Sequence, residues 1–340
     1  MSHCHYTPSR RVMSMAELNH NKTLNIRLAD HLQSLAVETG DAKYASQANR
    51  ARYCSTFWSG FYCESCGKFH SMHTTGCKHR LCPICATRQS RVTAMQAVEA
   101  LRWMRGRREG LRVSLLTLTQ RNVPGEGLSE EIGRMLIGWA HIQNSRVFRT
   151  VTEGWARTIE VVPGINQDGT YHPHVHALIV HEMKLPPVEW WAERWKTGMH
   201  LDYLPVCDLR PVEDEEGAVF EVSKYVSKLT RIYDGTAAEH DHVRYLSEAL
   251  YNRRLRSYGG DWRKARLQLN MMDAEKMPDD ALDEYVENRL DDSCPQCGKA
   301  TVASCLRWSG LRYNVVPNDI RVIPVNALLG GQHVFRSSGD

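Results

Sequence analysis

The stretch HPHVH at residues 172–176, followed by ALIV at residues 177–180, decides how this chain folds. An extended segment projects alternate side chains to one face, so the three histidines would form one row of imidazoles. The apolar residues that follow suit a buried strand. Neutral imidazoles in a row are a usual way for a strand to present nitrogen ligands to a divalent metal. The alternative is a polar strand edge whose histidines are held by hydrogen bonds.

A hairpin partner for this strand lies just before it in the chain. Residues 157–162 have a strand pattern, and the Asp168-Gly169 pair between the two segments is a hairpin signal. Closure of this hairpin would bring Glu160 roughly opposite Val175, within reach of two imidazoles. His172 lies on the same face and competes as a third metal ligand. We favour Glu160, because a carboxylate suits Mg²⁺ or Mn²⁺ better than a third imidazole.

The pattern around the hairpin predicts an α+β fold. Residues 113–119 form a further strand candidate, and residues 91–104 and 129–148 have helical periodicity. We expect a central antiparallel β-sheet of about five strands flanked by helices, with a cysteine-rich zinc module before it. The expected division is a polar helical segment, the zinc module, a large central domain, an acidic linker or arm, and a tail, at residues 1–53, 54–90, 91–270, 271–292 and 293–340.

Cysteine pairs indicate zinc. The spacing Cys63-x2-Cys66 and then Cys82-x2-Cys85 is typical of a four-thiolate Zn²⁺ site. A second zinc ion or another ligand set stays open, because further candidate ligands lie nearby: Cys54, Cys77, His70, His73 and His79. Buried reduced cysteines are the alternative. Far along the chain a second knuckle follows, with Cys294, Cys297, Cys305 as a third ligand and His333 as a conceivable fourth.

Composition and charge point to a polyanionic partner. The chain has 340 residues, 11 cysteines and a net charge of +4. Residues 273–292 contain nine acidic side chains against two basic ones, a net charge of −7, so the rest carries +11. A basic body attracts nucleic acid, and the arginines expected to follow a DNA backbone are Arg80, Arg88, Arg105, Arg107 and Arg108.

No apolar run is long enough to span a membrane, and the first residues lack the apolar core of a secretory signal. We therefore expect a cytoplasmic protein without a membrane partner. Thiols stay reduced in that compartment, which favours metal sites over disulfides for the cysteines.

A second chemical constellation lies at residues 216–229, which have helical periodicity. Glu221, Tyr225 and Lys228 are spaced to share one face of that helix. A tyrosine beside a carboxylate and an ammonium is a plausible nucleophile with its own base. The alternative is a surface helix with an ordinary i, i+4 pair, and Lys228 is as well explained as a solvated lysine.

The order of these pieces resembles the three-motif layout of HUH endonucleases, specifically the Rep_1-type initiators of rolling-circle plasmid replication. The pieces are the LTLT strand at 116–119, the HPHVH strand and the helix with Glu221 and Tyr225. The cysteine-rich GCKHRLCPIC at 76–85 and the RLRSYGG block at 254–260 also resemble that family. The resemblance covers residues 54–270.

The resemblance implies a metal-dependent, site-specific DNA nickase. Mg²⁺ or Mn²⁺ would be held by His174 and His176. Tyr225 would attack a phosphodiester to give a 5′-phosphotyrosine and a free 3′-hydroxyl, and Glu221 would activate the closing transfer. Implied partners are a plasmid double-strand origin, single-stranded at the nick, with host helicase and polymerase. A transposase or relaxase of the same fold remains an alternative, as does a non-catalytic zinc-dependent DNA-binding regulator.

Overall fold

The computed structural model describes residues 14–164, 169–213, 219, 223, 232–233, 235–282, 293–294 and 297–317. The chain forms two compact units. Unit 1 consists of Met1–Arg88 together with Met277–Asp340, and unit 2 is Gln89–Lys276. Unit 2 is therefore an insertion within the sequence of unit 1, whereas the sequence predicts a linear series of segments.

The helices of the described residues are α1 to α8, in order Met15–Thr39, Ala42–Tyr53, Pro83–Arg105, Leu128–Gln143, Arg146–Val151, Val188–Met199, Glu239–Leu250 and Gly260–Gln268. The strands are β1 to β10, in order Phe57–Cys63, Lys68–Thr74, Arg112–Leu118, Val123–Pro124, Gly154–Pro163, Thr170–His181, Cys207–Pro211, Arg256–Gly259, Val302–Trp308 and Tyr313–Pro317. A 3-10 turn, Gly125–Gly127, precedes α4.

Unit 1 combines two helices with a small antiparallel sheet. A capping box starts α1, in which the Ser14 hydroxyl accepts from the Glu17 backbone N–H while the Glu17 carboxylate accepts from the Ser14 N–H. The helix ends at Gly40, whose φ of 69° is the left-handed geometry that glycine adopts most easily. The sheet has the order β10–β9–β1–β2, so the C-terminal strands complete a sheet that begins near residue 57.

Unit 2 is built on an antiparallel sheet with the order β7–β3–β6–β5–β8, and the short β4 pairs with β6. The predicted α+β class, with a central antiparallel sheet flanked by helices, is confirmed. The histidine-bearing strand β6 lies in the middle of this sheet, where it is hydrogen-bonded to β3 on one side and β5 on the other. A central strand is held on both edges, which makes it a rigid place for a functional site.

The two faces of this sheet have different helical covers. On one face, Leu178 and Val180 of β6 pack with Leu101 and Met104 of α3 and with Trp262 of α8. Because strand side chains alternate, His174 and His176 project from this same face. They come before Leu178 and Val180 along β6.

On the other face, Trp139 of α4 contacts Trp155 of β5 edge-on, with ring centroids 5.1 Å apart. Trp195 of α6 donates its indole N–H to the carbonyl of Thr119. Each helix within the described part of the chain is too short or too polar to cross a lipid bilayer.

Candidate functional site

Glu160, His174 and His176 converge on the face of the unit 2 sheet. Their ligand atoms all lie within 4.8 Å of one another. The Oε2 atom of Glu160 is 2.9 Å from Nε2 of His174 and 3.3 Å from Nε2 of His176. Glu160 and His174 are 6% and 5% exposed, so water solvates this carboxylate poorly. The set has the donor types of a divalent-cation site.

The antiparallel register of β5 and β6 positions these side chains. Glu160 pairs directly with His174, and Thr158 pairs with His176. The sequence predicts Glu160 opposite Val175, one position away, because the turn geometry after Pro163 is not readable from the pattern. Strand alternation then turns the carboxylate to the same face as both imidazoles.

The ring nitrogen of each imidazole that does not face Glu160, Nδ1, has a protein partner. Nδ1 of His174 is 3.3 Å from the backbone oxygen of His172, and Nδ1 of His176 is 3.2 Å from Oγ1 of Thr117. A carbonyl only accepts, so the first contact requires the hydrogen of His174 on Nδ1 and points its Nε2 toward Glu160. Such outer contacts fix the tautomer and the ring orientation of metal-binding histidines.

This arrangement fits a bound cation. With the hydrogen on Nδ1, neutral His174 directs a lone pair at a carboxylate oxygen 2.9 Å away, and two acceptors at that distance repel each other. A proton or a metal ion between them removes the repulsion. Two imidazoles and a carboxylate suit Mn²⁺, and a carboxylate suits Mg²⁺.

His172 lies outside this set of three. Its Nδ1 is 3.0 Å from Oδ1 of Asn122, and its ring centroid is 5.3 Å from that of His174. Among the described residues, the group that could hold a metal on this face is Glu160, His174 and His176. Of the two candidates for a third ligand, the structure brings Glu160 into position.

The predicted nucleophile Tyr225 and its companions Glu221 and Lys228 lie outside the described residues. Two neighbours in that stretch, Val219 and Ser223, are described, and both are helical. Val219 is buried in the cluster that contains Leu178 and Val180, on the face that carries the three metal-ligand candidates. The backbone oxygen of Ser223 accepts a hydrogen bond from Arg256, and the serine is 1% exposed.

The cysteines of unit 1 form two groups of four, and their membership differs from the predicted set. The buried thiol cluster contains Cys54, Cys77, Cys82 and Cys85, and the split thiol cluster contains Cys63, Cys66, Cys294 and Cys297. The sequence predicts one site made of Cys63, Cys66, Cys82 and Cys85. The structure corrects this prediction, because it places the two pairs in different groups. The first CxxC pair ends β1, whereas the second lies at the start of α3, so the two pairs belong to different sites.

Both clusters have tetrahedral dimensions. In the buried thiol cluster, Sγ of Cys54 is 3.7 Å from Sγ of Cys82 and 3.5 Å from Sγ of Cys85, and Cys77 is 3.7 Å from Cys85. Four sulfurs at 2.3 Å from a central Zn²⁺ would be separated by about 3.8 Å. A disulfide needs about 2.05 Å. The sulfur positions therefore match a metal site better than disulfides.

Hydrogen bonds from neighbouring thiols act on the buried thiol cluster. Those from Cys77, Cys82 and Cys85 hold the pKa of Cys54 well below its usual value, whereas those from Cys54, Cys82 and Cys85, together with burial, raise the pKa of Cys77. Without a cation, the thiolate of Cys54 is thus stabilised at the expense of those of Cys77 and Cys82. Four thiolates together require a positive ion among them.

Other predicted cysteine and histidine ligands lie elsewhere. Cys305 is buried on β9, opposite Ser59 of β1, and does not belong to either cluster. His70, His73 and His79 are also outside both sets of four. His333 lies outside the described residues.

The predicted DNA-contacting arginines fall into two groups. Arg105, Arg107 and Arg108 are exposed at the end of α3. Arg107 stacks on Trp103 at 4.0 Å, and Arg108 pairs with Glu153. Arg80 is half-buried.

Arg88 does not face solvent, contrary to a role in DNA contact. Its Nη1 is 3.0 Å from Oδ1 of Asp279, and the arginine side chain is 8% exposed. The first part of the acidic stretch is therefore packed, because Asp279 also accepts from the backbone N–H of Gly76.

Sequence reasoning missed residues that support the sites rather than form them. Thr117 pairs with His176 in the β3–β6 register, so strand parity could have identified it. Lys22, fully buried, donates to the carbonyls of Arg52 and Cys54 beside the buried thiol cluster. A lysine in an amphipathic helix has no sequence signal that distinguishes such a position.

Comparison with known proteins places the chain in a family. The model of a family described as replication protein, Rep_1, matches residues 68–309. Two relatives, each named Protein rep, come from Bacillus sp and Bacillus amyloliquefaciens. The first is 32% identical over 73% of this chain and 89% of its own length. The second is 31% identical over 73% of this chain and 80% of its own length.

A more distant relative named Protein rep, from Streptococcus pneumoniae serotype 2, is 27% identical over 58% of this chain and 65% of its own length. No solved structure shows significant similarity to the chain. The family match covers both the histidine strand and most cysteines of the two clusters. The chain therefore belongs to the Rep_1 replication protein family of rolling-circle plasmid replication initiators, a membership that implies DNA binding.

Proposed function

We propose that this protein starts plasmid rolling-circle replication by nicking one strand of the double-strand origin through a tyrosine, as an HUH endonuclease. The observation that carries the proposal is the buried set of Glu160, His174 and His176, whose Nε2 and carboxylate atoms converge on one face. A DNA-binding regulator would need no such set. Membership in a family of replication initiators gives this chemistry a substrate.

The nucleophile is Tyr225. The phenol gives up its proton as its oxygen attacks a backbone phosphorus, a bond from phosphorus to that oxygen forms, and the bond from phosphorus to the 3′-oxygen breaks. The leaving 3′-oxygen takes a proton and becomes a primer for a host polymerase. The phosphotyrosine keeps the energy of the phosphodiester, so the strand can be rejoined without a high-energy cofactor.

The residues that hold the catalytic cation are Glu160, His174 and His176. Bound there, Mg²⁺ or Mn²⁺ supplies Lewis-acid polarisation of the phosphate and orients it. Thr117 and the backbone of His172 hold the two imidazoles in the ligating orientation through their Nδ1 atoms. The burial of Val219 in the cluster of Leu178 and Val180, on the face that carries the histidines, supports a nucleophile helix near this set.

Glu221 is the residue assigned to the closing step. It accepts a proton from the water or hydroxyl that resolves the phosphotyrosine at the end of a replication round. Lys228 contacts a phosphate or stabilises the phenolate. Helical spacing puts both residues on one face with Tyr225, and the role of Glu221 in the closing step is the one that the resemblance to HUH initiators implies.

DNA is held chiefly through phosphate contacts. Arg105, Arg107 and Arg108 are exposed and supply positive charge at the end of α3. The origin is single-stranded at the nick, and a host helicase and polymerase act after it. Structural Zn²⁺ in the buried thiol cluster supplies folding energy to unit 1.

The test uses supercoiled plasmid carrying the cognate origin, with Mn²⁺ and the full-length protein. We expect a nicked circle and a covalent DNA–protein adduct that resists denaturation. Tyr225→Phe should lose the adduct while duplex binding remains. An adduct that persists in Tyr225→Phe would move the nucleophile elsewhere.

Nicking at a different DNA, a transposon end or a transfer origin, would favour the transposase or relaxase alternative. Absence of nicking on the cognate origin, with sequence-specific binding intact, would favour the regulator. A folding check by circular dichroism on each variant separates these outcomes from loss of structure.

A further inference from the structure

We propose that Cys63, Cys66, Cys294 and Cys297 together hold one Zn²⁺ ion, and that this ion fastens the two sequence segments of unit 1 to each other across the insertion of unit 2. The site is distinct from the buried thiol cluster. The inference does not depend on the nicking chemistry, because all four ligands belong to unit 1.

The sulfur geometry supports a metal ion. Sγ of Cys63 is 3.5 Å from Sγ of Cys297, and Sγ of Cys66 is 3.7 Å from Sγ of Cys294. These values are close to the separation of about 3.8 Å between sulfurs around tetrahedral Zn²⁺, and far from the 2.05 Å or so of a disulfide. All four ligand atoms lie within 4.8 Å of one another.

The two halves of the site share a sequence motif and several backbone features. Residues 63–68 read CESCGK and residues 294–299 read CPQCGK. In each copy the glycine has a positive φ, 66° at Gly67 and 68° at Gly298. Each glycine N–H donates to the carbonyl of the first cysteine at 2.8 Å. Two CxxCGK motifs that bring their thiols together supply a complete set of four ligands.

Backbone donors stabilise the outer sulfur of each turn. The backbone N–H of Lys68 hydrogen-bonds to the Cys66 thiol, and that of Lys299 to the Cys297 thiol. These contacts oppose burial and the neighbouring thiols, which together leave the pKa of both cysteines raised in the absence of a cation. Nε2 of His70, a buried residue, is 3.2 Å from Sγ of Cys294. His70 therefore acts as a positioning residue that donates to the sulfur, since the four thiols already complete a tetrahedron.

The connectivity gives the site its role. Cys66 and Cys294 are 228 residues apart, and the whole of unit 2 lies between them. The C-terminal segment also joins unit 1 through the pairing of β9 with β1. Zinc at the split thiol cluster would fix the turn that precedes β9, and so hold this part of the C-terminal segment of unit 1 to its N-terminal segment.

The split thiol cluster differs from the buried one in exposure. Cys297 is exposed and Cys66 is half-buried, whereas Cys54, Cys77, Cys82 and Cys85 are all buried. A chelator reaches an exposed metal faster than a buried one. We therefore expect two kinetically separate zinc ions, with the ion of the split thiol cluster released first.

The first experiment needs no variant. Full-length zinc-loaded protein is alkylated with iodoacetamide, with and without prior EDTA, and labelled cysteines are identified by mass spectrometry. We expect Cys66 and Cys297 to resist alkylation until EDTA is added, and then to label together with Cys63 and Cys294. Rapid alkylation of Cys297 in the zinc-loaded protein would overturn the proposal.

The second experiment counts metal. Zinc per chain is measured after dialysis in Cys297→Ser and Cys294→Ser, with Cys305→Ser as the matched control, since Cys305 lies in the same sheet but outside both clusters. All measurements are made in a His174→Ala background, which removes zinc bound among the catalytic ligands. We expect loss of one equivalent in the first two variants and no loss in the control.

Unchanged zinc content in both Cys297→Ser and Cys294→Ser would overturn the proposal as well.

Amide hydrogen exchange tests directly whether the zinc ion holds the two segments of unit 1 together. Faster exchange at residues 293–308 in Cys297→Ser, without change in unit 2, is the expected result. Equal exchange in Cys297→Ser and Cys305→Ser would contradict it.

Discussion

Glu160 lies directly opposite His174 in the β5–β6 pair, with Oε2 of the carboxylate 2.9 Å from Nε2 of the imidazole. Both side chains are buried. A buried carboxylate is costly unless a cation or a hydrogen-bond donor compensates it. Together with His176, this pair therefore forms a group that could hold a metal ion.

Removing the charge of Glu160 should abolish most nicking. Glu160→Gln keeps the shape of the side chain but offers the metal a weaker ligand, and we expect the initial nicking rate with Mn²⁺ to fall on the order of 100-fold. Duplex origin binding, measured by fluorescence anisotropy, should stay within a few-fold, because it depends on phosphate contacts.

The matched control for Glu160→Gln is His172→Ala. Nδ1 of the His172 ring lies 3.0 Å from Oδ1 of Asn122, and the backbone oxygen of His172 contacts His174. The ring packs beside that of His174 but does not belong to the metal-ligand set. We expect its nicking rate to remain within a few-fold of the original. A loss as large as that of Glu160→Gln would make His172 the third ligand.

Thr117 should matter for metal affinity rather than for the chemical step. Its hydroxyl is 3.2 Å from Nδ1 of His176, and Thr117→Val removes that partner with little change in shape. Loss of such an outer contact costs roughly 10–100-fold in metal affinity or activity. Titration of nicking with Mn²⁺ should show a higher half-saturating concentration, with the maximal rate largely restored at excess metal.

Thr117→Ser, which keeps the hydroxyl, should behave like the original protein in the same titration. If Thr117→Val lowers the maximal rate without moving the half-saturating concentration, the threonine acts on the reaction and not on the metal.

The histidine site was largely predictable because it is local. Strand alternation gives the row of His172, His174 and His176, and a hairpin leaves one partner strand to search for a carboxylate. The prediction misplaced Glu160 by one residue, since register depends on the turn, and Asp168 and its neighbours carry only a general turn signal. Thr117 lies on β3 and is 59 residues from His176 in the sequence. Its contact with His176 could be predicted only if the order of the strands in the sheet were known.

The cysteine sites were predictable in kind but not in membership. Proximity in sequence favours Cys63 and Cys66 with Cys82 and Cys85, whereas the fold pairs the first two with cysteines 228 residues or more away. The repeated CxxCGK at residues 63–68 and 294–299 was the available signal. Burial of Arg88 could not be foreseen, because a basic run has the same pattern whether it faces DNA or a carboxylate.

Glu221 should separate the two halves of the reaction. Glu221→Ala removes the proposed base for the closing transfer but leaves Tyr225, so we expect an undiminished first nick and a phosphotyrosine adduct that accumulates. The measurement is a two-step assay on labelled oligonucleotides that scores cleavage and rejoining separately. His174→Ala should lose both steps. Equal loss of both steps in Glu221→Ala would show that the glutamate also serves the first nick.

Lys22 should stabilise unit 1. Burial lowers its pKa, while the nearby thiol groups of Cys54 and Cys82 raise it, and its ammonium donates to the carbonyls of Arg52 and Cys54. Lys22→Met leaves two carbonyls without this donor, which should lower the free energy of unfolding by roughly 2–4 kcal/mol. Urea unfolding at saturating zinc measures this change. Lys43→Met, at a half-buried position of α2, is the control and should change stability little.

Arg88 and Arg107 are both predicted from the sequence to contact DNA, but only Arg107 should do so, whereas Arg88 should stabilise the fold. Arg88→Ala removes the buried ion pair with Asp279 and leaves that carboxylate without its guanidinium, so we expect a loss of about 3 kcal/mol in unfolding free energy and unchanged DNA affinity per folded molecule. Arg107→Ala, at an exposed position, should leave stability intact and weaken duplex binding. A plot of log K for duplex binding against log salt concentration should have a slope that is shallower by about 0.9 in this variant, which is the effect of losing one phosphate contact. The opposite pattern, with Arg88→Ala flattening the salt slope at unchanged stability, would mean that the Arg88–Asp279 pair opens to admit DNA.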